Sequence, residues 1–313
     1  MRSKVILAGG SGLLGRAVAQ DLVKMGWDVV VLTRQPQQQL AINPILAAPV
    51  RLVYWDGAEN GPWAAELEGA AALVNLVGRS INCVFTPKHR HEILHSRLRA
   101  VAALGRAVAE CAQPPAVWVQ ASAVGYYGFA GAGHCDEASP VGTDFLAEVC
   151  RQWETAFQAA CPAKTRPVIL RLGVVLDAHG GAYPLLARLT QFFLGGAAGA
   201  GTQGFAWVHQ QDVRRVFQQA ILRPELMGVY NVCAPSGVTN ALFMATLRQS
   251  WQRPWTPPAP AFLVKLAARY LMKTDSTLIL GGRVCVPRRL LAAGFQFDFP
   301  DLAPALRHLA RSE

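Results

Sequence analysis

Apolar and polar positions alternate along this chain in short blocks. Residues 4–8 form an apolar run that reads as a buried strand, and a glycine-rich loop follows at once. Residues 13–25 then carry Leu14, Val18 and Leu22 at helical spacing and stop at Gly26. Further strands are predicted over 28–32, 51–55 and 72–77, with a short helix over 63–68 that Gly69 ends. The polar, helix-competent segment 87–111 packs beside the fourth strand. Residues 116–122 read as the fifth strand, 145–160 as a helix and 167–175 as the sixth strand. Strands alternating with helices imply crossover connections and a parallel sheet covered on both faces.

The regularity falls beyond about residue 180. Segments 185–194 and 212–222 look helical, 205–209 extended, and 228–234 supplies another strand for the sheet. The proline-rich stretch 253–260 leads into a helical tail over 262–273, followed by 278–287 and 290–293. The fold class predicted is α/β, a Rossmann-type parallel sheet flanked by helices, with a small, mostly helical C-terminal lobe. Residues 1–180 form the dinucleotide-binding core, with 205–235 completing it, and 181–204 and 236–313 form the smaller, substrate-side lobe.

Composition adds exclusions. The 313 residues are 52% hydrophobic and 16% charged, as in an ordinary folded enzyme. The apolar strand runs are far shorter than the ~20 residues a membrane-spanning helix needs, so no membrane association is expected. Arg2 and Lys4 precede an apolar run, but a glycine loop and then Arg16, Asp21 and Lys24 break the signal-peptide pattern. The cytoplasm is the expected compartment. Seven cysteines stand apart, with no CxxC pair or histidine grouping, and read as reduced thiols outside any metal site. The net charge of +10 suits anionic partners. Its densest group, Lys88, His89, Arg90, His91, Arg97 and Arg99, is not interleaved with aromatics, which argues against nucleic acid. A solvated helix face with one or two phosphate contacts accounts for it.

The candidate chemistry starts at the first loop. Gly9, Gly10, Ser11, Gly12, Leu13, Leu14 and Gly15 join a strand directly to a helix in the spacing G-x-x-G-x-x-G. The glycines allow the turn, the approach of pyrophosphate and close helix packing, while helix N–H groups face the phosphates. NAD sites usually carry Asp or Glu after the second strand, to accept from the ribose hydroxyls. Here Thr33-Arg34 stands in that place and the next acid is Asp56, so the cofactor expected is NADP(H). Asp56 is positioned to accept from the adenine amine, and Leu76, Val77 and Gly78 line the passage across the sheet edge.

With that loop go further motifs spread nearly end to end. They include Asn75-Leu76-Val77-Gly78, Ser96-Arg97, Ser122-Ala123-Val124-Gly125-Tyr126-Tyr127-Gly128 and Asp144-Phe145-Leu146-Ala147-Glu148-Val149-Cys150. Trp153-Glu154, Arg171-Leu172-Gly173-Val174-Val175-Leu176, Trp207-Val208-His209 with Asp212, and Asn231-Val232-Cys233-Ala234-Pro235 follow, then Gly281-Gly282-Arg283, Pro287 and Gly294-Phe295. On these the chain resembles the extended short-chain dehydrogenase/reductase superfamily. More narrowly it is similar to the atypical NAD-dependent epimerase/dehydratase-like "epimerase family protein" group, which also carries a SulA-type name. The resemblance implies the superfamily's sheet, a small C-terminal substrate lobe, and a monomer or homodimer.

Hydride transfer in that superfamily usually uses a serine, a tyrosine and a lysine four residues after it. The ammonium lowers the tyrosine pKa and the tyrosinate moves the substrate proton. The segment belongs near residue 145, where Phe145 and Val149, or Asp144 and Glu148, stand instead, and no lysine occurs between Lys88 and Lys164. The narrow group shares this loss. Candidate catalytic groups are therefore Ser122, Tyr126, Tyr127 and Glu148. Arg97 is placed to approach a substrate or phosphate, or to form a salt bridge within the helix layer, and Ser122 to contact the cofactor. His209 reads as a core histidine capping a turn, or as a lining of the lobe interface. Two functions stay open: an NADP(H)-dependent oxidoreductase or epimerase acting on a small metabolite, and a non-catalytic NADP(H)-binding sensor or scaffold.

Overall fold

Strand β1 (Lys4–Ala8) turns Val5 and Leu7 to one side of a sheet and Ile6 and Ala8 to the other, all fully buried. This burial on both faces, repeated in β2 (Asp28–Thr33), is the mark of a covered parallel sheet. The computed structural model of the chain describes residues 3–38, 49–129 and 133–311. Arg2, weighed above against a signal sequence, lies outside them.

Helix α1 (Leu13–Lys24) links β1 to β2, and β3 (Arg51–Tyr54), a 3-10 turn (Pro62–Leu67) and β4 (Ala72–Asn75) follow. Then come α2 (Pro87–Glu110), β5 (Val117–Ala123), a second 3-10 turn (Val124–Tyr127), β6 (His134–Cys135) and α3 (Phe145–Ala160). Next are β7 (Arg166–Leu172), β8 (Val174–Asp177), β9 (Gly180–Gly181), α4 (Tyr183–Gln191), β10 (Gly204–Phe205), β11 (Trp207–His209), α5 (Gln210–Leu222) and β12 (Gly228–Val232). The remainder holds β13 (Val238–Thr239), α6 (Asn240–Ser250), α7 (Ala261–Tyr270), α8 (Thr277–Leu280), β14 (Val284–Cys285), α9 (Arg288–Ala292) and α10 (Leu302–Ala310).

The main sheet is seven-stranded and parallel, in the order β12-β7-β5-β4-β1-β2-β3. From β1 the chain winds outward through β2 and β3, then returns to the other side of β1 at β4. That reversal opens a crevice beyond the carboxyl ends of β1 and β4. One face packs on α1 and α5, with Val18, Leu22, Val216 and Phe217 in its core. The other packs on α2 and α3, with Leu104, Val108, Trp153 and Phe157. A third core, built from Tyr183, Trp207, Phe243, Leu247 and Leu306, joins α4, α6 and α10.

Two expectations are corrected. The single strand expected over 167–175 breaks at Gly173: β7 stays in the main sheet, while β8 pairs with β11 and β9 in a separate three-stranded sheet. Gly173 donates its N–H to Val232, and a Cβ there would lie 2.8 Å from the Ala206 carbonyl oxygen, so the chain crosses between sheets where only glycine fits. The segment 278–287 is no single element, since α8 ends at Leu280 and β14 pairs with β6. Sequence reading also passed over α6, capped by the Thr239 hydroxyl, and α10, whose Leu302, Ala305, Leu306 and Leu309 repeat at helical spacing.

Candidate functional site: a cofactor cleft and an adjoining cavity

The crevice at the β1/β4 reversal holds a cleft of about 720 Å³. Gly9 and Gly12 form its floor, Thr33 and Arg34 enter from the end of β2, Trp55 and Asp56 from the end of β3, and Leu76, Val77 and Gly78 from the end of β4. Gly9 adopts φ +75°, and Gly15 is required because a Cβ would come within 2.5 Å of the Gly10 backbone. Gly12 caps α1 without a side-chain bond, and the first turn of α1 carries no acid. Its N–H groups thus remain available to an anion. Ser11 lines the cleft and its hydroxyl accepts from Thr33 Oγ1 at 3.3 Å.

Leu13 packs toward Gly180 and Leu14 toward the core, so both support the loop without lining the cleft. Asp56 lines the wall, but one carboxylate oxygen already accepts from the N–H groups of Ala58 and Glu59, each at 2.9 Å. These bonds hold its carboxyl below the usual range. The opposite wall belongs to the basic helix face expected to make one or two phosphate contacts, though which residues would make them was not read from the sequence: His91, His95 and Arg99 lie four residues apart on one stripe of α2, beside Arg79, Ser80 and Ser96. The signal was the basic cluster itself. Read as helix spacing, it puts Arg99 on the same cleft as Arg34.

A second cavity of about 230 Å³ lies beyond the Gly78–Ile81 loop, between the ends of β5 and β7 and α8. Apolar Leu146, Val149, Trp153, Leu172 and Phe205 make most of its wall. Arg97 lines it too. Among the described residues Arg97 forms no salt bridge; its Nη1 donates to the carbonyls of Arg79 (3.1 Å) and Ile93 (2.8 Å). Its guanidinium lies 4.9 Å from the Trp153 ring centre, and burial pulls its pKa below the ordinary value.

The candidate catalytic side chains are engaged elsewhere, and the structure does not gather them on this wall. Ser122 Oγ donates to Glu154 at 2.6 Å, and Arg171 forks onto both Glu154 oxygens at 2.9 and 2.7 Å. Arg171 also donates to the Tyr127 hydroxyl at 2.9 Å, and that hydroxyl donates to Asn231 at 2.7 Å. Tyr126 stacks under the same guanidinium, 3.4 Å from its carbon. Burial raises the Tyr127 phenol above its ordinary value, outweighing the cation, so it is a proton donor held neutral. Glu148 lies at the surface, 46% exposed, and is held at about 2 by hydrogen bonds from Arg151 and then Gln152. Ser122, Tyr126, Tyr127 and Glu148 line neither cavity.

The hydroxyl that does line the smaller cavity is Thr277, which donates to Asp275 at 2.7 Å. His209 is 1% exposed and caps α5, accepting from the Gln211 N–H at 3.2 Å, with burial and then His308 lowering its pKa to about 3. Among the described residues the cysteines are unpaired and no group of three His, Cys, Asp or Glu is arranged to hold a metal ion. No described helix is long and apolar enough to cross a membrane.

Residues 5–233 match the NAD dependent epimerase/dehydratase family, and residues 259–309 match DUF1731, a domain of unknown function. The chain is 35% identical over 308 residues to the Arabidopsis thaliana epimerase family protein SDR39U1 homolog, chloroplastic, covering 97% of this chain and 85% of that protein. It is 32% identical to the Homo sapiens epimerase family protein SDR39U1, covering 98% and 99% of the two chains. The crystal structure of human SDR39U1 (isoform 2) with NADPH superposes with a TM-score of 0.86, at 31% identity and with 99% of this chain and 100% of that chain covered. This chain belongs to the NAD dependent epimerase/dehydratase family.

Proposed function

We propose that this protein binds NADP(H) along the larger cleft and carries out oxidoreductase or epimerase-like chemistry on a small metabolite in the adjoining cavity. The observation that carries this reading is Arg34, exposed on the cleft at the end of β2, where an NAD site would carry a carboxylate. Arg34 and Arg99 hold the 2′-phosphate, and the Gly9–Gly12 turn with the α1 N–H groups holds the pyrophosphate. The NADPH in the human relative's structure supports the same assignment. When bound, the nicotinamide supplies or accepts hydride. Thr277, its hydroxyl donating to Asp275, is the hydroxyl side chain on the cavity wall that would meet the substrate, while Ser122 and Tyr127 stay bound in the Glu154–Arg171 network.

The occupied hydroxyls of Ser122 and Tyr127 favour a second reading, in which the chain senses NADP(H) without turnover. Fluorescence titration of the purified protein tests the cofactor: NADPH binds at least tenfold more tightly than NADH. Equal affinity would remove the Arg34 argument. NADPH oxidation in the presence of small carbonyl compounds then separates enzyme from sensor.

A further inference from the structure

Two guanidiniums face the 230 Å³ cavity, and no carboxylate lines it. Arg97 reaches it from α2 and Arg283 from the turn before β14. Arg283 is only 9% exposed, and its Nε has no hydrogen-bond partner. Among the described residues neither arginine forms a salt bridge with an acid, while the neighbouring Arg171 is fully matched by Glu154. Arg97 spends only Nη1 on protein carbonyls.

Among the described residues no acid pairs directly with either of them. Cys150, between the two, is pushed up to about 11 by burial and stays a neutral thiol. Asp275, on the nearby rim, already accepts from Phe85 N and from the N–H and hydroxyl of Thr277. Arg283, buried against the Phe129 ring with no acid partner, is a cation left uncompensated, and with the half-buried Arg97 on the same wall it calls for an anion from outside. The rest of the wall is apolar, with Leu146, Val149 and Trp153 prominent. The volume falls below the roughly 300–1,000 Å³ usual for ligand pockets, so the ligand is small.

We infer that this cavity binds a small organic carboxylate, its two oxygens held by Arg97 and Arg283 and its apolar body against Leu146, Val149 and Trp153. A guanidinium fork binds carboxylate and phosphate alike. The carboxylate is favoured because Arg97 has already spent Nη1 on two carbonyls and the small wall is otherwise mostly apolar, which leaves few donors for a third oxygen. The inference deepens the proposed function and rests on it, because the carboxylate is then the handle by which the substrate is oriented beside the cofactor.

The test uses the full chain saturated with NADP⁺ and unreactive probe pairs: benzoate against benzamide, and isobutyrate against isobutyramide, with phenylphosphonate as the tetrahedral control. Calorimetry is expected to give at least tenfold tighter binding of each acid than of its amide. Arg283→Gln abolishes that preference, Arg283→Lys keeps part of it, and both retain wild-type NADPH affinity and a cooperative melt. Equal binding of acid and amide, or binding of phenylphosphonate in place of the acids, overturns the inference. Acid-selective binding by a protein that fails to bind NADPH keeps the anion site and removes the cofactor reading instead.

Discussion

At Arg34 a single side chain stands where the choice between the two nicotinamide cofactors is made. Replacing it with alanine removes a charge-assisted contact to the 2′-phosphate and leaves the turn of β2 intact. Arg34→Ala is expected to weaken NADPH about tenfold, about 1.4 kcal/mol, with NADH changed less than twofold. An equal loss for both cofactors would mean that the side chain acts on the loop and not on the phosphate. Two glutamates on α3 give the opposite lesson about residue type. Glu154 is buried, and both of its oxygens face Arg171. Glu154→Ala leaves an unmatched buried guanidinium and is expected to cost about 3–5 kcal/mol in denaturant unfolding. Glu148, on the same helix but at the surface, pairs with Arg151, and Glu148→Ala is expected to stay within about 0.5–1 kcal/mol. Similar losses at the two positions would sink the assignment of Glu154 as the anchor of the buried network.

Among the elements, α5 carries the clearest pH dependence. His209 is held near 3 in the fold, by burial first and His308 second, against an ordinary value of about 6.5. Between those values the unfolded chain binds the proton that the folded chain refuses. Stability contributed by neutral His209 is complete above about 6.5 and is lost as the pH falls toward 3, at up to about 1.4 kcal/mol per pH unit. Asp212, its carboxyl raised by burial, acts with the opposite sign where its own shift lies, so the comparison must be made within one background. His209→Asn keeps an acceptor for the Gln211 N–H and removes the titration. Its melting temperature is expected to fall less steeply between pH 6.5 and 4.5 than that of the wild type, and an unchanged slope would exonerate His209. The elements also differ in how readable they were. The strands that fill the sheet are unbroken apolar runs, and α1 and α3 carry plain helical spacing, so local pattern sufficed. The break at Gly173 has no local mark, because it depends on the Ala206 carbonyl arriving from another strand. The cofactor loop is a contiguous motif and was visible. The network is not contiguous: Tyr127 and Asn231 are 104 positions apart, so nothing in the neighbourhood of either announces the bond. Arg171, a cation inside an apolar strand, was the one available hint that a buried acid had to meet it.

Across the whole molecule the C-terminal lobe is tied to the sheet by polar contacts as well as by packing. Asp212 of α5 accepts from the backbone N–H groups of Asp298 at 2.7 Å and Phe299 at 3.1 Å, and Arg215 donates to Asp298 at 2.5 Å. Glu137 accepts from the N–H of Asn231 at 3.0 Å and of Arg289 at 3.2 Å, and β14 pairs with β6. Breaking the lobe away would strand the buried Asp212 carboxylate and open the apolar seam between Trp207 and Leu306. The two parts are therefore expected to unfold together, in one calorimetric transition. Because the smaller cavity is walled by both Leu172 of the sheet and Arg283 of the lobe, ligand occupancy should hold the whole unit and not the N-terminal core alone. At a hundredfold excess over its dissociation constant, NADPH adds about 2.7 kcal/mol to the folded state. For a chain of 313 residues that moves the single peak upward by about 4 °C. NADH at the same concentration moves it less. Two resolved peaks, with NADPH shifting only one, would show that the lobe folds independently of the sheet.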